Sequence, residues 1–519
     1  MLEFNNVSIH LKDSGRPLIE NFNFVLQPND KIAIIGEEGN GKSTLLKTVV
    51  DKSTVLEYAN IDGVISTRGL SIGYLEQSFN KDWFNETVMD YLLKDNIDSE
   101  PNYGLLNSIY DLFNTFKLKK DILDNDQLIK TLSGGEKVKI QLIKILCLNP
   151  DILLLDEPTN DIDINTLIWL ENFIKEVKKP VLYVSHDEKL LENTANGIIH
   201  LEQIKKKTES RYTVERIPYT EYMEKRFNLL AHQEQVARKQ RSDYDKKMED
   251  YRQIYQKVEY QQNTISRQDP HGAALLKKKI KSLKSQERRF EKEKSDFLDI
   301  PDTEDAINLK YSLDNKIPSN KIILEYSIDA LEIDNKKLAE NIKLTVVGNE
   351  HIVFIGNNGI GKTTLLKNIY EELKDRKDIK VGYMSQNYDD LLDLEKTPVD
   401  FLAGNGSKEE ITTARTFLGS LKFTAEESTN EIKYLSGGQK AKVLILSLVL
   451  NKCNVLLLDE PTRNLSPLSN PVIRKILSDF EGCIISVSHD RKYIEEVCDK
   501  IYELTKTGLV VRNNLNSDL

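Results

Sequence analysis

Two kinds of hydrophobic pattern divide the chain. In its outer parts, short runs are apolar without alternation: Lys31–Ile35, Ile152–Leu155 and Val181–Val184 toward the amino terminus, His351–Ile355, Val455–Leu458 and Cys483–Val487 toward the carboxyl terminus. Short, β-branched runs of this kind are expected of parallel strands buried on both faces. Helical spacing over Ser43–Val50 and Thr363–Tyr370 follows two of them, which predicts strand–loop–helix units and an α/β class. The middle of the chain has another rhythm. Tyr244, Met248, Tyr251, Tyr255 and Val258 recur at alternating steps of 4 and 3, as do Leu276, Ile280 and Leu283, with Phe290 and Phe297 continuing the frame through polar Glu287 and Lys294. These are coiled-coil seams. Asp269-Pro270-His271-Gly272 interrupts them, because proline lacks the amide a helix needs, so an antiparallel hairpin is predicted. Its first arm, about Tyr222 to Thr264, would be ~65 Å long at ~1.5 Å per residue. The expected layout is an α/β domain over 1–205, a linker over 206–321 with the hairpin at about 220–299, and a second α/β domain over 322–519.

The two outer parts repeat one another. Gly36-Glu37-Glu38-Gly39-Asn40-Gly41-Lys42-Ser43 and Gly356-Asn357-Asn358-Gly359-Ile360-Gly361-Lys362-Thr363 both fit GxxxxGK[ST]. Three further pairs share an offset of 303: Leu132–Glu136 with Leu435–Gln439, Leu153–Thr159 with Leu456–Thr462, and Ser185-His186-Asp187 with Ser488-His489-Asp490. A lone glycine loop arises by chance, but two followed by the same motifs in the same order mark a duplicated unit.

The motifs carry phosphate chemistry. Residues without side chains at Gly36, Gly39, Gly41 and at Gly356, Gly359, Gly361 let backbone amides curl around phosphates at a helix N-terminus. Lys42 and Lys362 add positive charge, Thr44 and Thr364 follow at the helix start, and the Ser43 and Thr363 hydroxyls are placed to ligate Mg²⁺. Asp156 and Asp459, at the ends of buried strands, are the expected metal-side acids. Glu157 and Glu460, one residue further, are the candidates to orient or deprotonate a water, and His186 and His489 the candidates to touch the terminal phosphate.

Net charge is −10, which by itself argues against a nucleic-acid partner. Residues 220–299 depart from that average, with 19 Lys/Arg against 14 Asp/Glu, a net of +5 that leaves −15 elsewhere. No apolar run reaches membrane-spanning length. The amino terminus lacks a signal-peptide pattern, so a cytoplasmic protein is expected, and the four dispersed cysteines are expected to be small core residues.

The LSGGE and LSGGQ motifs preceding LLLDEPT and then SHD resemble the signature, Walker B and switch-histidine motifs of ABC ATPases, over nearly all of residues 1–205 and 322–510. That resemblance implies two ABC-type P-loop ATPase domains, ATP and Mg²⁺ as cofactors, and Gln77 and Gln386 as further residues at the metal and the water. It also implies an intramolecular sandwich in a monomer, with Ser133, Gly134 and Gly135 capping the nucleotide on Lys362, and Ser436, Gly437 and Gly438 capping that on Lys42. The second D-loop, Arg463-Asn464-Leu465-Ser466, departs from the pattern that the first, Asn160-Asp161-Ile162-Asp163, follows, so asymmetric communication is expected. Leu11 and Ile333 fall where an adenine-stacking aromatic is usual.

Tandem domains joined by a basic helical hairpin resemble the ABC-F family, whose members act on the ribosome. The resemblance implies entry of the hairpin into the tRNA exit site, contact with rRNA and P-site tRNA, and an effector tip at Gln261–Leu276. Lys277, Lys278, Lys279, Lys281, Lys284, Arg288 and Arg289 on the second arm suit RNA phosphates. A long linker, a first domain without a large arm insertion and an end without a basic extension resemble members that protect the peptidyl-transferase centre from lincosamides, pleuromutilins and streptogramin A. A housekeeping or regulatory translation factor is the alternative. A transporter engine has no use for the hairpin, and a DNA-repair or chromosome-structure ATPase usually carries zinc modules or longer coils.

Overall fold

The computed structural model describes residues 1–124, 126–204, 208–264, 270–295, 297–298, 317–333, 336–404 and 406–513. The chain forms two compact units, one from residues 1–219 with 304–519, the other from 220–303.

Within the first unit each half is built on a six-stranded sheet with the same order. In the amino-terminal half the order is Ile72–Leu75, Ile152–Asp156, Val181–Val184, Lys31–Ile35, Gly197–Ile204 and Glu209–Glu215. The carboxyl-terminal half repeats it with Val381–Met384, Val455–Asp459, Cys483–Val487, His351–Ile355, Lys500–Thr505 and Gly508–Arg512. Five strands are parallel and the last pairs antiparallel. The strand Glu209–Glu215 carries the first sheet past residue 205, since it completes the edge beside Gly197–Ile204. The apolar runs are parallel strands without alternation because helices cover one face and a second, antiparallel sheet lies over the other. In the first half that sheet is Pro17–Val25, Glu3–Leu11 and Ala59–Ser66, and the helix Lys42–Val50 sits in the same core: Leu45 and Leu46 are fully buried with Phe4, Phe22, Ile32 and Ile34. Burial of each such leucine contributes about 2 kcal/mol. The helix after the glycine loop is thereby fixed at its origin.

The halves meet. Ile164, from the first half, lies 7% exposed within the apolar cluster that holds Met384, Leu444 and Leu465 of the second. Cys453 and Cys483 are buried as expected, while Cys147 and Cys498 are half-buried.

The second unit is the hairpin, with helices Tyr219–Thr264 and Pro270–Ser295. Tyr251, Val258 and Leu283 are buried in its seam, with Met248, Tyr255, Leu276, Ile280 and Phe290 half-buried against them. The arms run antiparallel: Lys247 pairs with Glu293 at 3.1 Å, the Tyr251 hydroxyl donates to Glu287 at 2.9 Å, and the Tyr244 and Phe297 rings lie 5.6 Å apart. Residues 265–269 of the expected tip, Ile265-Ser266-Arg267-Gln268 among them, lie outside the described residues.

Candidate functional site

Both glycine loops join a sheet strand to a helix, and in both the residue before the helix adopts a left-handed backbone, Gly41 at φ 85° and Gly361 at φ 107°. A side chain is disfavoured there. At the start of each loop space is the reason: a Cβ on Gly36 would stand 2.4 Å from the Leu201 carbonyl oxygen, and one on Gly356 2.7 Å from that of Leu504. The lysines turn back onto the loops. Lys42 Nζ donates to the carbonyls of Gly36 and Glu37 at 2.9 and 3.0 Å, and Lys362 Nζ to those of Gly356 and Asn357 at 2.8 and 3.1 Å. Burial lowers the pKa of both, against nearby acids that raise it.

Asp156 and Asp459 close the neighbouring strands, and both are buried. Asp156 accepts from the Ser43 hydroxyl at 2.8 Å and the Tyr74 hydroxyl at 3.2 Å. Asp459, 1% exposed, has the Thr363 hydroxyl nearby but no well-formed hydrogen bond on either carboxylate oxygen. Burial raises the pKa of both acids, and the nearby Thr363 hydroxyl and Lys362 ammonium work against this at Asp459. A buried carboxylate so weakly hydrogen-bonded is a costly arrangement unless a cation completes it. The residues therefore fit a divalent metal held with hydroxyl and phosphate oxygens.

The two glutamates after these acids share an uncommon backbone, with Glu157 at φ 48° and Glu460 at φ 52°. Each is held there by its amide, which donates to the next strand, to the Val184 carbonyl at 3.0 Å and the Val487 carbonyl at 2.9 Å. Strain of this type at matched positions points to function. Their side chains differ. Glu157 accepts from Gln77 at 3.1 Å and Asn160 at 2.9 Å, and lies 3.1 Å from His186 Nε2. Burial pushes its pKa up, but His186, Asn160 and Lys42 outweigh this and hold it at about 2. Glu460 takes the His489 backbone amide at 3.2 Å, and His489 Nε2 stands off at 3.8 Å. Burial and neighbouring Asp459 push Glu460 up to about 8, and burial with Lys362 brings His489 down to about 3. The surroundings differ: His186 and Asn160 both hold the Glu157 carboxylate, whereas at Glu460 His489 Nε2 stands off and Arg463, the counterpart of Asn160, pairs with Asp161 of the other half.

Ser133 and Ser436 each cap the signature helix that follows, Gly134–Cys147 and Gly437–Leu450, and each capping box is closed by the residue three further on. The second signature reaches the first glycine loop, with the Gly438 amide donating to Glu38 at 3.1 Å. On the other side Asn358 donates to the Asp161 carbonyl at 2.7 Å, and the space for a Cβ on Gly134 is filled by that carbonyl at 1.9 Å. Two cavities lie between the halves. One of about 300 Å³ is lined by Lys42, Ser43, Thr44, Gln77 and Glu157 with Arg463 and Asn464 opposite. The other, of about 690 Å³, joins Lys362, Thr363, Thr364, Gln386 and Glu460 to Asp161, and Ile333 lies on its wall. Sequence reading missed Glu38 and the Tyr74 hydroxyl. The acidic pair Glu37-Glu38 inside a phosphate loop was the available signal.

Paired glycine loops, signature helices and strand-end acids define a tandem ABC protein. A family model described as ABC transporter matches residues 19–160 and 339–463, more than half of the chain, and the chain belongs to that family. With its helical hairpin it is of the ABC-F type. No helix among the described residues is long and apolar enough to cross a membrane. The chain is similar to ATP-binding protein Uup of Buchnera aphidicola (strain APS), 28% identical over 98% of this chain and 81% of that one. It is also similar to the probable ATP-binding protein YheS of Escherichia coli K12, 26% identical over 95% and 77%. The fold is shared with archaeal ribosome recycling factor aABCE1, solved with ribosomal stalk protein aP1, at a TM-score of 0.59 and 17% identity over 97% of this chain and 89% of that one. RNase-L Inhibitor matches at 0.58 and 17%, over 97% and 90%.

Proposed function

We propose that this protein binds two ATP molecules between its halves, hydrolyses them with Mg²⁺, and uses its hairpin on the ribosome. The observation that carries the reading is the Gly438 amide on Glu38: an anion from one half already takes the N–H of the opposite signature helix that a terminal phosphate would take. The glycine-loop amides with Lys42 or Lys362 bind the phosphates, and the Ser133–Gly135 and Ser436–Gly438 segments close over them from the other half. Glu157 and Glu460 orient or accept a proton from water, steadied by Gln77, Gln386, His186 and His489. Ser43, Gln77 and Asp156, or Thr363, Gln386 and Asp459, would hold Mg²⁺, which would supply neutralisation of phosphate charge.

The same reading gives the hairpin an RNA partner. Its second arm carries a run of lysines suited to phosphate contact, and the solved structures of like fold include ribosome-bound archaeal Pelota and ABCE1. A cytoplasmic monomer that enters the tRNA exit site and protects the peptidyl-transferase centre from lincosamides, pleuromutilins and streptogramin A is the form of action proposed. Exposed Tyr260, just before the tip, and Leu275, within it, add apolar surface for RNA bases. Replacing Glu157 and Glu460 together by Gln is expected to stop hydrolysis, keep ATP binding, and hold the protein on ribosomes in co-sedimentation. Parental hydrolysis by that variant would remove the two glutamates from the mechanism. Raised inhibitory concentrations for the named drugs on expression support protection, and unchanged ones with altered translation support the housekeeping factor.

A further inference from the structure

Beyond the nucleotide sites, the helices on either side of the switch histidines join the halves through ion pairs. Arg474 lies 3% exposed and forks onto Glu188, itself 5% exposed, at 2.6 and 3.3 Å. Arg491 reaches Glu171 at 2.9 Å and Asp187 at 3.0 Å, all three about one-tenth exposed. The duplication offset of 303 relates these residues to one another: Glu171 corresponds to Arg474, and Glu188 to Arg491. The two pairs are thus one contact seen twice about the axis that relates the halves, with both acids on the first half and both arginines on the second.

A second, outer contact has no such polarity. Lys189 pairs with Glu495 at 2.8 Å and Lys492 pairs with Glu192, and here each half supplies the same lysine and the same glutamate. Those outer pairs would form between any two halves. The inner ones form only between unlike halves, because two first halves would bury Glu171 against Glu188 beside Asp187, and two second halves would bury Arg474 against Arg491. Lys175 beside Glu171 at 3.0 Å and Glu496 beside Arg474 at 2.7 Å would remain on their own halves, but like charges facing each other in a buried contact are still unfavourable, whereas the outer pairs, alike in both halves, discriminate little.

We infer that this buried four-residue set is the surface by which each half selects its unlike partner, joining first half to second and rejecting a like half of another copy. The partner it fits is the complementary half, in the same chain or, when that is blocked, in a second copy. None of the four lines either nucleotide cavity, although Asp187, the further partner of Arg491, lies on the wall of the larger one.

The test uses full-length chains with Asp187→Asn throughout, since Asp187 would otherwise face an acid at position 491; Asn retains the cap on the Leu190 amide. One chain carries Glu171→Arg and Glu188→Arg, the other Arg474→Glu and Arg491→Glu. Each alone should turn over ATP at least about tenfold more slowly and sediment as a monomer. Mixed in equal amounts, they should form a one-to-one dimer in sedimentation velocity and regain turnover, because each half then finds an unlike partner in the other chain. All four exchanges in one chain should restore a monomer with turnover within about threefold of its Asp187→Asn parent. The inference is overturned if either double variant keeps parental turnover, or if the mixture stays monomeric and the fourfold exchange stays inactive. A native chain without ATPase activity would refute the proposed function, and dimer formation in the mixture would still read the pairing.

Discussion

At the scale of single residues, identical motifs have become unlike sites. The sequence showed which residues match, Glu157 with Glu460 and His186 with His489, because the repeat aligns them. It did not show that one glutamate is held at a pKa of about 2 and the other at about 8, since that depends on what each neighbour reaches across the contact. The odd D-loop hinted at a difference, since Arg463 pairs with Asp161 where Asn160 holds Glu157, but burial and Asp459 are what raise Glu460. A pH dependence follows. The native protein keeps a proton on Glu460 that the unfolded chain, near the ordinary ~4.3, has lost. Native proton uptake exceeds that of the unfolded chain across this window, so the contribution of Glu460 to stability falls as pH rises from that value through about 8. Without nucleotide, Glu460→Gln should match the parent melting temperature at pH 5 and exceed it at pH 9. Glu157→Gln should melt lower at both, by about 1–3 kcal/mol, having lost its charged partner for His186, Asn160 and Gln77. Equal offsets for Glu460→Gln at pH 5 and 9 would show that its carboxyl does not titrate in this window.

Among the elements, the hairpin was the most legible from sequence, because a 4-3 seam constrains both arms at once. Every apolar seam position from Met248 to Phe290 lies in the observed cluster. The two polar interruptions have physical answers that periodicity alone could not supply: Glu287 takes the Tyr251 hydroxyl, and Lys294 lies over the Tyr244 ring at 5.5 Å. Tyrosine on one arm suits a polar residue on the other, so the frame continues without an apolar side chain. The helix starts were less legible, with the first arm beginning at Tyr219 rather than near Tyr222. Since the seam faces inward, the lysines at 277, 278, 279 and 281 can be altered without unpacking it: all four are exposed. Changing them to Gln should weaken ribosome binding and flatten its salt dependence, each lost phosphate contact reducing the slope by about 0.7–0.9. Turnover without ribosomes should stay near parental. Unaltered affinity and slope would leave these lysines as a solvated face.

For the whole molecule, duplication made the tandem architecture readable, while the division of labour between halves became readable only in three dimensions. Ile164 entering the second half's core, Asn358 bonded to Asp161 and the Arg474–Glu188 pair each join residues far apart in sequence. In the proposed function, nucleotide turnover belongs to the unit of the paired halves, and the effect on the ribosome belongs to the hairpin tip. The two are separable by experiment. Removing Glu259–Leu276 and rejoining the arms through a short glycine loop would keep Tyr251, Leu283 and the Tyr251–Glu287 hydrogen bond in register. ATP hydrolysis and co-sedimentation with ribosomes are then expected to survive, because the glycine loops, the strand-end acids and the lysines from 277 onward are untouched. Protection against lincosamides, pleuromutilins and streptogramin A is expected to disappear. A shortened protein that still raised the inhibitory concentration of every drug the parent resists would move the effector from the tip to the arms or the ATPase body.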